Sequence, residues 1–201
     1  MCVPCARRLA AIVLPAIVLL ATSQEALAGP LADAAAQAED RATAGDPVGA
    51  RDAIRDAYGT FAATLPFTIG KVAFVDTPPT GYGMYDTRAA TVFKIGEPLI
   101  SYVEPVGLTW RAGEDGKLES AFAVDLELLD TKGEVLAEQK AFGTFAFRSL
   151  VRNQEVFAKL TLTLDDPPPG DYVLRYRFRD ANSGAVALSE QPFSIAAPGG
   201  Q

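Results

Sequence analysis

The chain has 201 residues, of which 49% are hydrophobic, and its 18 basic and 25 acidic residues give a net charge of −7. This length suits one domain with an appendage, and the hydrophobic fraction is ample for a core. The acidic balance argues against a nucleic-acid partner, because such binding needs concentrated Lys and Arg. The sequence contains no histidine, so it lacks the commonest general base and the commonest zinc ligand. We therefore expect neither a metal nor another cofactor.

Residues 1–28 have the three parts of a secretory signal peptide. Arg7 and Arg8 form the positive start, Leu9 to Ala21 form an apolar run, and Ala26-Leu27-Ala28 resembles a cleavage site. The apolar run is shorter than the roughly 20 residues that a membrane-spanning helix needs. We therefore expect an exported protein with no transmembrane segment in the mature chain.

The two cysteines indicate the compartment. Cys2 and Cys5 both lie inside the predicted signal peptide and would be removed with it. A mature chain without cysteines cannot form a disulfide, so its folding must depend on packing alone. An exported protein of this kind is typical of a bacterial periplasm, which is the location we predict.

Residues 29–65 are rich in alanine and lack β-branched runs, which favours helix. Gly45-Asp46-Pro47 divides the segment, because Gly ends helices, Asp caps them and Pro fits a first turn. We predict a helical hairpin of Leu31–Ala44 and Pro47–Ala63, and the pair resembles a single tetratricopeptide-type repeat. The second helix carries apolar residues at helical spacing: Ala50, Ile54, Ala57, Tyr58, Phe61 and Leu65. The hairpin either packs on the following domain or serves as a spacer, or else it docks a partner or dimerises.

Residues 66–197 read as a β-domain of seven to nine short strands, followed by a disordered tail over 198–201. Val156–Leu164 and Tyr172–Arg179 show the clearest alternation of apolar and polar residues, with a proline-rich corner between them. The other predicted strands are Phe67–Val75, Leu99–Val106, Ala121–Leu129, Glu134–Lys140, Phe142–Phe147 and a return through Val186 to Ile195. Short strands at this spacing are typical of a two-sheet sandwich.

The corner Pro169-Gly170-Asp171-Tyr172, followed by Leu174, resembles the tyrosine corner of immunoglobulin-like and fibronectin-like sandwiches. The resemblance implies an antiparallel β-sandwich in which Val156 to Ile195 supplies strands E, F and G. It implies architecture only, since this sandwich has many functions. The chain departs from antibody domains in having no cysteine pair and no tryptophan on strand C. Gly83-Met84-Tyr85 and the run from Val92 to Gly107 also resemble sequences of uncharacterised exported bacterial proteins, and that resemblance indicates no function.

The resemblance also predicts that strand C lies beside strand F. The outward face of strand C carries Asp125 and Glu127, and that of strand F carries Arg175 and Arg177. Opposite charges on neighbouring strands stabilise the pairing by about 0.2–1 kcal/mol each. Together with Arg179, these arginines form a stripe that either grips an anion or is neutralised by the acidic residues.

The segment from Tyr82 to Trp110 concentrates aromatic residues together with a few charges. This composition is typical of carbohydrate or peptide grooves, because rings contribute contact area at small entropic cost. An alternative is that Tyr102 and Trp110 belong to the core. The candidate binding residues are Tyr82, Tyr85, Arg88, Tyr102, Glu104, Trp110 and Arg111.

We predict a non-enzymatic binding or interaction module of the cell envelope, with an envelope protein or glycan as its partner. Binding would use the aromatic segment or strand addition along the last strand. One alternative is a carboxylate-dependent hydrolase of envelope glycans, which needs two carboxylates about 5–10 Å apart. Another is a structural assembly subunit, and the oligomeric state stays open. Acid pairs occur at Asp76 with Asp86, Glu97 with Glu104, and Asp165 with Asp166.

Overall fold

The computed structural model describes residues 29–197, in which two helices precede nine strands. The helices are α1 (Pro30–Thr43) and α2 (Pro47–Ala62). The strands are β1 (Thr68–Phe74), β2 (Val92–Phe93), β3 (Leu99–Val106), β4 (Arg111–Ala112), β5 (Leu118–Asp130), β6 (Val135–Ser149), β7 (Ala158–Leu162), β8 (Gly170–Asp180) and β9 (Val186–Ile195). A short 3-10 helix, Glu114–Gly116, precedes β5. The predicted signal peptide and the predicted disordered tail lie outside the described residues.

The break between the helices follows from three consecutive residues. Gly45 has a φ of 80°, in the left-handed region that glycine tolerates best. The Asp46 carboxylate accepts a hydrogen bond from the Gly49 N–H at 2.9 Å, which caps α2, and Pro47 occupies its first turn. The helical hairpin predicted from the sequence is therefore confirmed.

The strands form a two-sheet sandwich of the immunoglobulin-like type. One sheet has the order β1-β3-β7, and the other has the order β2-β9-β8-β5-β4, with β6 paired to the opposite edge of β5. The pairings are antiparallel except that β2 runs parallel to the end of β9, with Val92 opposite Ser194 and Phe93 opposite Ile195. The predicted fold class is confirmed, and this short parallel contact is an addition to it.

The predicted pairing of strands C and F is confirmed, since β5 and β8 are neighbours. Asp125 lies directly opposite Arg177, and Glu127 lies opposite Arg175. The Arg175 guanidinium is 3.2 Å from the Glu127 carboxylate and 2.7 Å from that of Glu190 on β9. Hydrogen bonding to Glu190, and then to Glu127, raises the pKa of Arg175. Of the arginine stripe, Arg175 is therefore neutralised by carboxylates on both neighbouring strands.

The tyrosine corner is present as well. The Tyr172 hydroxyl donates a hydrogen bond to the carbonyl of Pro168, four residues earlier, at 2.7 Å. This bond closes the turn between β7 and β8 across the proline-rich corner.

A buried polar contact joins the two sheets. The Ser101 hydroxyl on β3 donates to Gln191 Oε1 on β9 at 2.6 Å and lies 3.1 Å from the Tyr176 hydroxyl on β8. Because Ser101 has one proton and gives it to Gln191, Tyr176 must donate to Ser101. Burial raises the pKa of Tyr176 to about 12, against the opposing effect of Ser101. Apolar side chains of both sheets surround this contact.

One detail of the predicted strands is wrong. The two segments predicted as separate strands, Glu134–Lys140 and Phe142–Phe147, form one strand, β6, because the strand continues through a bulge at Ala141. Ala141 has a φ of 48°, and its N–H donates to the Asp125 carboxylate at 2.8 Å. On β5, Leu128 packs against the main core, as the alternation of the strand predicts, and its neighbour Leu129 is also buried.

Candidate binding surface

A buried tyrosine organises the outer face of the three-stranded sheet. Ser101 points into the core, so its neighbour Tyr102 on β3 points to the outside of the sandwich. Tyr102 is nevertheless completely buried. The Tyr85 ring stacks on it at a centroid distance of 4.0 Å, and the Phe157 ring stacks at 5.6 Å. Together with Val75 and Ile100, these residues form a second, smaller core.

Hydrogen bonds fix the loop that covers Tyr102. The Gly83 N–H donates to the Tyr102 hydroxyl oxygen at 2.8 Å, and that hydroxyl donates to Glu104 Oε1 at 2.7 Å. Burial, followed by the Glu104 carboxylate, raises the pKa of Tyr102. The loop between β1 and β2 is thus held in one position by a neutral phenol.

This fixed loop presents exposed side chains next to α2. Tyr82 and Met84 on the loop are 41% and 62% exposed, and Tyr58 on α2 is 51% exposed. We define these three residues, with the half-buried Tyr85, as the tyrosine face. Burial raises the pKa of Tyr82, and the Glu104 carboxylate, the Tyr58 phenol and the Glu155 carboxylate add to the effect. The helix and the loop therefore contribute to one surface.

A basic side chain borders this surface. Lys71 on β1 places its Nζ atom 5.5 Å from the centre of the Tyr85 ring, a cation–π geometry. The Tyr85 phenol, and to a smaller extent the Glu104 carboxylate, raise the pKa of Lys71. The tyrosine face therefore combines rings with charges of both signs at its margin.

A cavity of about 480 Å³ continues from the tyrosine face along α2. It lies between the helix and residues 151–155, which cross the helix where Gly59 leaves room for Arg152. Its lining combines apolar side chains, among them Ile54 and Tyr58, with arginines. The helical residues that line it are Arg51, Ile54, Arg55 and Tyr58. We define this cavity as the α2 groove.

The structure brings together four of the seven predicted binding residues. Tyr82 and Tyr85 lie on the tyrosine face, whereas Tyr102 and Glu104 support it from below. For Tyr102, the alternative of a packing role is therefore correct.

Arg88 does not reach the tyrosine face. Its guanidinium lies 3.3 Å from the Asp76 carboxylate and 2.9 Å from the Glu97 carboxylate. It also stacks over the Phe93 ring at 4.2 Å and donates to the carbonyl of Val92. Arg88 therefore joins the ends of the loop and is held by structural contacts.

Trp110 and Arg111 also lie apart from the tyrosine face. Trp110 is partly buried against the main core and lines a separate cavity of about 320 Å³ with Leu65, Gly107 and Leu108. Arg111, on β4, lies 3.7 Å from the Glu119 carboxylate. The chain turns at Gly107, where β3 ends, and this turn carries both residues to another end of the sandwich.

Three residues of this surface, Tyr58, Ile54 and Glu155, were not among the predicted binding residues. Tyr58 and Ile54 belong to the apolar stripe of the second helix, for which packing on the sandwich and docking a partner were both left open. Their exposure depends on where the hairpin sits on the sandwich, which local spacing does not determine. Glu155 lies in a segment without secondary structure and gave no signal.

Several members of the predicted acid pairs are engaged in structural contacts. Asp76 and Glu97 both form ion pairs with Arg88, and the Glu104 carboxylate accepts a hydrogen bond from the Tyr102 hydroxyl. Asp166 has a φ of 45° in the corner before β8, which is a turn position. Within residues 29–197, no group of three or more acidic, cysteine or histidine side chains is placed to hold a metal ion.

Two further observations concern the surface. Neither α1 nor α2 is long and apolar enough to cross a membrane. The last strand, β9, pairs with β8 along its length and with β2 only at Ser194 and Ile195, so its second edge is partly covered.

Comparisons with known proteins give only distant likenesses. The chain matches no family model, and no curated protein matches it. Among solved structures, the PKD domain of an M14-like peptidase from a Thermoplasmatales archaeon is similar over 66% of this chain and 98% of its own, at 13% identity and a TM-score of 0.37. A superoxide reductase (neelaredoxin) from Ignicoccus hospitalis is similar over 64% of this chain and 82% of its own, at 15% identity and a TM-score of 0.36. Likenesses at this level carry no argument about activity.

Proposed function

We propose that this protein is an exported, non-enzymatic binding module of the bacterial cell envelope that recognises a protein partner through the tyrosine face and the α2 groove. One observation carries the proposal: exposed aromatic side chains are mounted on a loop that a fully buried tyrosine fixes. The export rests on the signal-peptide pattern of residues 1–28. We also propose that the chain belongs to a family of exported bacterial proteins, because its Gly83–Gly107 segment resembles sequences of such proteins.

The composition of the surface supports a protein partner. Tyrosine, methionine and arginine are enriched at the centres of protein–protein interfaces. The tyrosine face supplies Tyr58, Tyr82 and Met84, and the α2 groove supplies Arg51 and Arg55. Apolar side chains with arginines beside them can anchor a partner residue in a desolvated pocket.

The rigidity of the surface supports binding as well. A loop that is ordered before a partner arrives loses little conformational entropy when it binds. The stacking of Tyr85 on Tyr102 and the bond from the Gly83 N–H to Tyr102 supply this order.

Site-specific photocrosslinking in intact cells tests the proposal. A photoreactive phenylalanine analogue replaces Tyr58 or Tyr82, and the same analogue at Leu188, which is exposed on β9 of the other sheet, is the control. We expect a discrete protein adduct from positions 58 and 82 and none from position 188. An adduct from position 188 alone would move the binding surface to the other sheet.

A second measurement separates a protein partner from a glycan. We expect the purified chain not to co-sediment with isolated cell-wall glycan. Co-sedimentation that is lost on Tyr82→Ala, without any protein adduct in cells, would replace the protein partner by a glycan. Mass spectrometry of the periplasmic fraction tests the export, with Gly29 expected as the N-terminal residue.

A further inference from the structure

The arginine stripe on β8 is only partly neutralised. Arg175 has two carboxylate partners. In the described part of the chain, no carboxylate lies within 4.0 Å of the Arg177 or Arg179 guanidinium, although most other arginines there, such as Arg148, have such a partner. We define Arg177 and Arg179 as the unpaired arginines.

The pairing register explains why the unpaired arginines lack a partner. Arg177 lies opposite Asp125 on β5, but the Asp125 carboxylate accepts a hydrogen bond from a backbone N–H of the bulge in β6 at 2.8 Å. Arg179 lies opposite Ala123 on β5 and Val186 on β9, and neither side chain carries a charge. The neighbouring strands therefore leave both guanidiniums open to an external anion.

Further arginines lie at the same end of this outer face. Arg111 and Arg148 line a cavity of about 300 Å³ there. The Glu119 carboxylate lies 3.7 Å from Arg111 and 3.2 Å from Arg148, so one carboxylate is shared between two guanidiniums. With the unpaired arginines and Asp125 included, this end of the face carries four arginines against two carboxylates. The local charge is therefore positive although the chain is acidic.

Exposed apolar side chains lie beside the unpaired arginines. On β9, Leu188 is opposite Arg177 and Val186 is opposite Arg179. The exposed fractions of Leu188 and Val186 are 55% and 40%. A small anion in solution would not contact these side chains, whereas the surface of a lipid bilayer presents phosphate groups and acyl chains side by side.

We propose that this end of the six-stranded sheet binds the surface of an anionic phospholipid membrane. The unpaired arginines contact lipid phosphates, because a guanidinium matches the geometry of phosphate oxygens. Leu188 and Val186 enter the boundary between headgroups and acyl chains. We define these four residues as the membrane face.

The net negative charge of the chain does not prevent this contact. Charges that lie more than about 8 Å from the lipid surface are largely screened at physiological ionic strength. The local excess of arginines therefore determines the attraction to anionic lipids. The tyrosine face lies on the other sheet, outside β3, so a membrane-bound chain keeps it free for a protein partner. Membrane binding does not depend on that partner.

Co-sedimentation with lipid vesicles tests the membrane face. The chain is purified from the cells that express it and mixed with vesicles of phosphatidylglycerol or of phosphatidylcholine. We expect binding to phosphatidylglycerol vesicles that weakens as the salt concentration rises, and little binding to phosphatidylcholine vesicles. A chain that binds neither at low ionic strength, or binds both equally, would overturn the proposal.

Arginine substitutions locate the contact on the chain. The double variant Arg177→Gln, Arg179→Gln should bind phosphatidylglycerol vesicles about tenfold more weakly, because two charges near the lipid surface are lost. Arg41→Gln, Lys159→Gln is the matched control, since it removes the same charge from α1 and from β7 of the other sheet. This control should bind as the wild type does. Equal weakening in both variants would show a response to net charge alone, and no weakening in either would place the contact elsewhere, so both results would contradict the membrane face.

A fluorescent label measures how the chain is oriented on the membrane. In a chain with Cys2→Ser and Cys5→Ser, Leu188→Cys or Lys159→Cys carries an environment-sensitive dye. With phosphatidylglycerol vesicles we expect a blue shift and a gain of intensity at position 188, and no change at position 159. Equal changes at both positions would show adsorption without orientation and overturn the proposal. A protein adduct from position 188 in the photocrosslinking experiment, without vesicle binding, would assign this face to a protein partner instead.

Discussion

The sandwich and the helical hairpin differ in what they do with their apolar side chains. In the sandwich Phe122, Leu174 and Tyr176 are completely buried between the sheets. In the hairpin, Ile54 and Phe61 are more than 40% exposed, and the buried positions belong to alanine and glycine. The sandwich therefore gains its stability from its own core, whereas the apolar residues of the hairpin remain available for other contacts. Substitutions in the two regions should have different consequences.

The largest effect is expected in the core. Phe122→Ala should lower the free energy of unfolding by about 3–5 kcal/mol, because it leaves a cavity among aromatic rings. The Phe122 ring centre lies 5.1 Å from that of Phe145 and 6.1 Å from that of Phe178. Urea denaturation followed by circular dichroism measures the change, with the exposed Val48→Ala on α2 as the control. A loss below about 1 kcal/mol would contradict the assignment of this core.

The junction between the two regions should respond less strongly. Gly107 has a φ of 70°, and a Cβ atom there would lie 2.7 Å from the Leu65 carbonyl oxygen and against that of Pro66. Gly107→Ala should therefore lower the free energy of unfolding by about 1–3 kcal/mol. Gly116→Ala is a matched control, because Gly116 has the same φ of 70° and nothing within 4 Å. Equal losses in both variants would show that the segment between α2 and β1, which contains Leu65 and Pro66, does not press against the end of β3.

The tyrosine corner should have a smaller effect on stability. Tyr172→Phe removes the hydrogen bond to the Pro168 carbonyl and should lower the free energy of unfolding by about 0.5–1.5 kcal/mol. Tyr58→Phe removes a hydroxyl from the exposed face of the hairpin and is the control. The same denaturation experiment measures both variants. Indistinguishable stabilities would mean that the corner bond is replaced by water without loss.

The parts of the fold that the sequence predicts are those set by adjacent residues or strict alternation. Gly45-Asp46-Pro47 determines the break between the helices, and each residue acts within a few positions of itself. Alternation on β5 and β8 places Glu127 and Arg175 on outward faces, so their pairing follows from the topology alone.

The remaining features depend on contacts between distant parts of the chain. The bulge that joins the two halves of β6 uses Asp125 on the neighbouring strand, so the segment around Ala141 alone does not reveal it. Tyr58 and Tyr82 share a surface because the hairpin and the loop meet in three dimensions. Trp110 lies near Tyr102 in sequence but beyond the turn at Gly107, and proximity along the chain was therefore misleading.

The smallest effect on stability is expected at the tyrosine face. A substitution there tests most directly whether the apolar side chains of the hairpin, unlike those of the sandwich, are available for binding. Tyr58→Ala removes a half-exposed ring from α2, so it should change the free energy of unfolding by no more than about 0.5 kcal/mol. The same variant should abolish the crosslinked adduct from position 82, because a partner would lose an aromatic anchor. A loss of stability above about 1 kcal/mol would instead make Tyr58 a packing residue of the hairpin. The apolar side chains of the hairpin would then stabilise the fold, as those of the sandwich do, and the two regions would differ only in how much their apolar side chains contribute to stability.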